Sequence, residues 1–457
     1  MNIYGLDITC RIVPKLDPGF IPLLRFNEEF LKTADKPFAI AIERNDRQIC
    51  TYNTYIHGTP EKHEADVFYI DRLIKTILWM KGGFRIYVCG ESDICATVKS
   101  AYSPDGSRAF DYEFMSRVFE QKMEVLQVPS IPPANETSYS IGRHLEGCRI
   151  GFDAGGSDRK VSAVIDGTPV YSEEVVWYPK VTEDPDYHYQ EIVSALRTAA
   201  SYMPRVDGIG ISSAGVYVAN RTMVASLFLK VPENLFDSKV KDIFLRAGRE
   251  IGDVPVVVCN DGDVTALAGA MSLNTNNILG IAMGTSEAVG YVDDKGNITG
   301  WLNELAFAPV DASPEAMADE WSGDIGCGVK YFSQDSIIKL ALSADIDFDD
   351  AQTPAEKLKV VQVLLEKGDS RANDVYESLG VYLGHTLPFY YSLYAFSRVL
   401  LLGRVMGGKG GDIILHTSHK VLEKEYPDMA AMFSVSLPDE KSRRVGQSVA
   451  AASLPIL

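Results

Sequence analysis

The chain has 457 residues, 46% hydrophobic and 23% charged, with a formal net charge of −18. That length and balance predict two or three ordinary globular domains, and the acidic surplus argues against a nucleic-acid surface, which needs clustered Lys and Arg. No apolar run reaches the roughly 18 residues needed to cross a bilayer. The start, MNIYGLDITC, lacks a basic region followed by an apolar stretch, so no secretion signal is expected. The seven scattered cysteines contain no CxxC pair and fit a reduced, cytoplasmic chain.

Residues 1–125 read as a small α/β module. Residues 38–55 alternate on both sides of Asn45-Asp46, a hairpin signal. Residues 67–79 carry Phe68, Leu73, Ile77 and Leu78 at helical spacing. Gly82 and Gly83 end that helix, and a strand is expected at 84–89. Residues 126–147 are rich in Pro, Ser, Asn and Gly and read as a linker. Beyond it, 149–166 give two alternating runs around a Gly-rich turn, 187–203 a helix, 207–212 and 254–259 strands, and 263–271 a helix capped by Asp263. Strands at 278–283 and 288–292 flank a second Gly/Ser turn. A long helix at 374–395 precedes a strand at 399–402, which runs into a third glycine-rich loop. His188 is expected at the surface or boundary of its helix, and the aromatic run 389–394 in the interior.

Four segments carry chemistry. In IGFDAGGSDRK (150–160) a strand ends at Asp153, and Gly155 and Gly156 permit a tight turn whose N–H groups, with the Ser157 hydroxyl, can face an anion. A plain hairpin turn is the alternative. In VCNDGD (258–263) Asn260 and Asp261 at a strand end can bind adjacent hydroxyls, and a carboxylate there can accept a proton; an Asx turn is the bland reading. GIAMGTSEAVG (280–290) repeats the first pattern with Gly284, Thr285 and Ser286. LLLGRVMGGKGGD (400–412) places Gly403, Gly407 and Gly408 where backbone can approach a flat base; a flexible, ligand-free loop is the bland reading.

The order of these four resembles the actin/hexokinase/Hsp70 superfamily, and within it the ROK family of bacterial sugar kinases and repressors, from about Gly147 onward. The resemblance implies an α/β, two-lobed actin/hexokinase-like (ribonuclease H-like) fold. It divides the chain into the N-terminal module (1–125), linker (126–147), a first lobe (148–262), a second lobe (263–442) and a C-terminal helix (443–457) returning to the first. Asp153, Gly155, Gly156 and Ser157 match the family's DxGGT, DGIGISSAG (207–215) its GIGxPG-like strand and turn, Asn260-Asp261 its ND, and Gly284-Thr285 its GTG. NELAF (303–307) matches GExGH, with Glu304 on the sugar-binding glutamate.

By resemblance, the chain is an ATP-dependent sugar kinase. Asp261 is the general base, Asn260 and Glu304 are sugar contacts, and Asp153 positions Mg²⁺ through water. Gly284, Thr285, Ser286, Gly403, Gly407 and Gly408 complete the nucleotide site. A non-catalytic sugar or nucleotide sensor is the alternative, and a homodimer is possible. Two departures stand out. Phe307 replaces the histidine of GExGH, and EWSGDIGC (320–327) keeps only Cys327 of the family's zinc cysteines, so no zinc is expected. Ser286-Glu287 follows the second phosphate turn, where a carboxylate would repel phosphate or hold Mg²⁺. No basic recognition helix is found in residues 1–125.

Overall fold

The computed structural model describes residues 1–137, 140–438 and 446–457. The chain forms two compact units, one of residues 1–137, 281–289 and 301–437, the other of 138–280, 290–300 and 438–457.

The second unit is built on a five-stranded sheet in the order Val256–Asn260, Gly208–Ser213, Cys148–Ala154, Asp158–Ile165, Thr168–Val176. The first three strands are mutually parallel, and the last two continue as an antiparallel meander. Strands covered on both faces read as continuous apolar runs, and Cys148–Ala154 and Gly208–Ser213 are buried almost throughout. One face packs Ile150, Phe152, Ile209 and Ile211 against Ile192 and Leu196 of helix Pro185–Ala200 and Phe244 of helix Ile243–Arg249. Side chains alternate along a strand, so Gly151 and Gly210 face the other way, onto the helix Gln447–Ala452. A Cβ at either glycine would lie 1.6 Å from the Ser448 or Ala451 carbonyl oxygen. The sheet and that helix touch backbone to backbone.

Two four-stranded sheets are also present among the described residues. One runs Gln48–Ile56, Lys36–Arg44, Arg85–Cys89, Glu124–Gln127. The hairpin expected at Asn45-Asp46 forms and closes over Asn45–Arg47, with Asp46 and Arg47, one position later, in the left-handed region at φ 60° and 55°. Helix His63–Lys81 ends at Gly82, φ 80°. The other sheet runs Glu287–Val292, Ile278–Met283, Arg398–Leu402, Ser434–Ser436. The long helix Ser370–Tyr394 lies against Lys409–Glu425, and Gly380 and Gly384 let Thr417 and Val421 come close. Phe389, Tyr390 and Tyr394 are buried there, as expected of the aromatic run.

Three local expectations are corrected. His188 is fully buried, with its ring nitrogens each 3.0 Å from the carbonyls of Asp184 and Pro179. The turn Pro179–Val181 folds over that helix face, which helical periodicity does not reveal. Asp263 is not the helix cap. The helix Asp261–Leu273 begins two residues earlier, with Asn260 as N-cap, and the Asp263 carboxylate accepts from the Tyr291 N–H at 3.0 Å. The glycine-rich stretch after 402 is mostly not a loop. Gly410 and Gly411 lie in the first turn of helix Lys409–Glu425, and Gly410 packs on the Tyr376 ring.

Candidate functional site

Parallel pairing puts the C-terminal ends of three strands side by side. Asp153 pairs in register with Ser212, Ser212 with Cys259, and Ser213 with Asn260. Ligands of open α/β sheets gather at such carboxyl ends. The Ser212 hydroxyl donates to Asp153 at 2.9 Å, and the Gln447 amide donates to the Ser212 oxygen and to the Asp261 carbonyl at 2.9 and 3.2 Å. The C-terminal helix therefore ties the two acidic strand ends together.

Burial pushes the Asp153 carboxyl up to about 6; the Ser212 hydroxyl opposes the rise, and the neighbouring Asp261 carboxylate adds to it. Burial also raises the Asp261 carboxyl. The Gly262 N–H and the Lys180 ammonium pull it back. Asp261 opens the helix Asp261–Leu273, where a negative charge is favoured by the exposed N–H groups. The Asn260 amide is largely engaged: its oxygen accepts from Gly262 N–H and its nitrogen donates to Gly215, both at 2.7 Å. One N–H of that amide remains for a ligand.

The turn after Asp153 is pinned from outside. The buried Trp177 donates its indole N–H to the Gly155 carbonyl at 2.7 Å, and its backbone N–H to Ser157 at 3.1 Å. Gly156 and Ser157 are exposed. A Cβ on Gly156 would lie 2.7 Å from the Lys180 Nζ, so an exposed ammonium rests on the turn. Sequence reasoning missed both residues. Trp177 and Lys180 lie 20 or more positions from the turn and belong to no motif. The one available signal was the bulky, basic VWYPKV run (176–181) between a strand and a helix.

In the other unit, the turn at Gly284 closes with its N–H on Ser286 O at 3.0 Å, and Gly284 O accepts from Gln334 N–H at 2.8 Å. Thr285 and Ser286 are exposed. Glu287 is turned inward, 3% exposed, and burial pushes its carboxyl up to about 8. Its Oε1 is 3.5 Å from the Tyr390 hydroxyl. Its side chain thus faces the interior, away from the exposed Thr285 and Ser286 of the turn. Gly403 has φ 94°, and a Cβ there would meet the Met283 carbonyl at 2.2 Å. Only glycine lets the strand Arg398–Leu402 turn off so close to Ile278–Met283. Gly407 and Gly408 are exposed just before the helix Lys409–Glu425. Glu304 is half-buried and caps the short turn Leu305–Phe307. The Trp301 ring lies tilted against Tyr394, 5.7 Å between centroids, with the Lys81 ammonium 4.1 Å from the Trp301 ring.

With this geometry in view, the comparison with solved structures is decisive for the fold. A ROK hexokinase from Thermus thermophilus superposes with a TM-score of 0.51 at 18% identity, covering 67% of this chain and 97% of the hexokinase. A ROK family transcriptional regulator, described as a homologue of the E. coli MLC protein, superposes at 0.53 and 18% identity over 68% of this chain and 79% of its own. The fold is that of the ROK proteins. No family model matches the sequence, and no curated protein matches it. The matched two thirds leaves a remainder consistent with an extra region on the ROK fold. Among the described residues no helix is long and apolar enough to cross a membrane.

Proposed function

We propose that this chain is a ROK-type sugar kinase, transferring the γ-phosphoryl group of ATP to a hydroxyl of a hexose or related sugar. The observation that carries the reading is the Asp261 carboxyl. It stands at a helix N-terminus with its proton affinity raised, beside a second acidic strand end. A general base works best with its pKa raised toward the working pH. Asp261 accepts the proton of the attacking hydroxyl, and the half-free Asn260 amide and Glu304 orient the sugar. The Gly155–Ser157 turn and Lys180 hold phosphate oxygens, and Gly284–Ser286 offers a second turn of the same kind. Gly403, Gly407 and Gly408 form the adenosine contact. Mg²⁺, held by Asp153 through water, would neutralise phosphate charge. Positioning and charge stabilisation supply most of the rate in such a transfer.

The test is ADP release with MgATP across hexoses, amino sugars and polyols. Sugar-stimulated release is expected, and Asp261→Asn should lower it by about 10²–10⁴-fold while nucleotide affinity stays. A variant as fast as the wild type would refute the role of Asp261. The second reading, a sugar-binding sensor without turnover, draws on the likeness to the ROK regulator. It predicts sugar or nucleotide binding by calorimetry with no release from any sugar. The fold alone does not choose between them.

A further inference from the structure

The ROK resemblance implies zinc between a sugar loop (303–307) and a second loop (319–327), and the residues present do not fit it. Phe307 stands in the histidine position. The Cys327 thiol is buried and pushed up to about 12 by that burial, Lys75 pulling the other way, so it is no ready thiolate. The carboxylates of the second loop are already engaged: Asp319 by Ser322, Glu320 by Lys330, Asp324 by three cations. Among the described residues no group of three His, Cys, Asp or Glu is placed to hold a metal. The loop nonetheless has an exact backbone to keep, since Asn303 sits at φ 53°, a conformation that costs energy unless its surroundings impose it.

The N-terminal residues help impose it, alongside the Tyr394 hydroxyl, which donates to the Asn303 side-chain oxygen at 2.9 Å. A helix leaves its last four carbonyls without intrahelical partners, and in His63–Lys81 each finds one. Leu78 O accepts from Gly82 N–H at 2.7 Å, and Lys81 O from Arg44 at 3.3 Å. The two between them accept from the sugar loop: Met80 O from Asn303 N–H at 2.9 Å and Trp79 O from Glu304 N–H at 3.0 Å. The Trp79 ring then lies 4.4 Å from that of Phe307, and Phe110 and Phe114 of helix Ala109–Phe119 complete the cluster at 5.4 and 6.4 Å from Phe307. Phe307, the residue that removed the histidine, is the one these rings grip.

One and two turns earlier, Lys75 and Arg72 reach the second loop. Arg72 holds Asp324 with two hydrogen bonds of 2.9 and 3.0 Å, Lys75 lies 3.1 Å from it and Arg108 2.8 Å. Lys75 also meets Asp111, which accepts from the Trp79 indole, and Arg108 pairs with Asp71. Three buried cations thus face three carboxylates. Burial alone would raise the Asp324 carboxyl, but Lys75, Arg72 and Arg108 outweigh it and hold it well below the usual carboxylate range. Residues 21–23 join in: Leu23 N–H donates to Val310 O at 3.0 Å, and Ile21 N–H to Asp311 at 2.9 Å.

We infer that the N-terminal residues are a metal-free staple for the sugar loop, with Trp79 and the Arg72/Lys75/Arg108–Asp324 cluster as positioning residues that fix Glu304 where ROK relatives use zinc. The link to sugar affinity rests on the proposed role of Glu304; the staple itself does not. The experiment uses the full chain and three variants: Trp79→Ala, Asp324→Asn and Phe307→Leu, the last keeping apolar volume while losing the ring. Amide hydrogen exchange is read at 301–308 and 318–328, with the strand Cys148–Ala154 as reference. Exchange at the loop amides should rise by about tenfold or more while the reference is unchanged. Sugar affinity by calorimetry should fall about tenfold with nucleotide affinity kept, since a displaced binding group costs the interaction it made. Metal analysis should find no stoichiometric zinc, and a chelator should leave sugar binding as it was. Unchanged loop exchange in Phe307→Leu and Asp324→Asn would overturn the staple, as would bound zinc whose removal loosens the same amides. A wild type that binds no sugar would sink the kinase reading, and the exchange data would still decide the staple. If Trp79→Ala does not fold, the two milder variants carry the decision.

Discussion

Replacing Asp153 by Asn removes one charge from a place where the fold resists it. In the native protein burial and Asp261 move this carboxyl from 3.8 to about 6. At about 1.4 kcal/mol for each tenfold change in ionisation, that gap amounts to about 3 kcal/mol. The sign follows from linkage. A carboxyl whose folded value is raised leaves stability intact below its unfolded value, and stability is lost as pH rises through about 6. Asn is neutral at every pH and can still accept from Ser212 through its side-chain oxygen. The variant should therefore gain on the wild type by about 1.5 kcal/mol between pH 5 and pH 8, with the remainder of the 3 kcal/mol already developed at pH 5. Across a unit of this size that is about 3–6 °C in Tm. The measurement is the variant-minus-wild-type Tm at several pH values without ligand, taken as a difference because a chain of two units need not unfold in one step. A second arm adds MgADP at pH 8, which should raise the wild-type Tm more than that of the variant if Asp153 holds the ion. A Tm difference that does not move between pH 5 and pH 8 would refute the account of Asp153.

Three further outcomes are expected. Lys180→Met should weaken nucleotide binding about tenfold, the low end for a hydrogen bond from a charged donor, with sugar affinity unchanged; equal nucleotide Kd values would remove Lys180 from the site. Glu287→Gln should leave nucleotide binding unaltered because the side chain faces the interior. Its Tm should gain on the wild type as pH rises from the ordinary carboxylate range to about 8 and level off above it, because in that window only the unfolded chain's carboxyl is ionised; a pH-independent difference would contradict this. Gly210→Ala should destabilise by about 1–3 kcal/mol through overpacking against the Ala451 carbonyl, read by denaturation, and native-like stability would show that the C-terminal helix yields.

The sequence by itself determined the elements whose causes are local. The hairpin at Asn45-Asp46, the strand–turn signals at Asp153–Ser157 and Gly284–Ser286, and the strand end at Asn260-Asp261 follow from alternation, glycine and Asx chemistry within a dozen residues. Their order along the chain was enough to point to the ROK fold. Tertiary structure decided what depends on contacts distant in sequence. The approach of Asp153 to Asp261 needs the strand Gly208–Ser213 between their strands, and Gln447 to bridge them. Lys180 reaches Gly156 only because the turn Pro179–Val181 folds back past the hairpin. The same fold-back buries His188, and Asn260 displaces Asp263 as cap because the helix starts where its strand ends. Nothing near Phe307 in sequence foretold Trp79, over 200 residues away, because a ring reports its own hydrophobicity and not the partner it will meet. Desolvation, which raises the Asp153 and Glu287 carboxyls, is likewise a property of the assembled core and is written in no single segment.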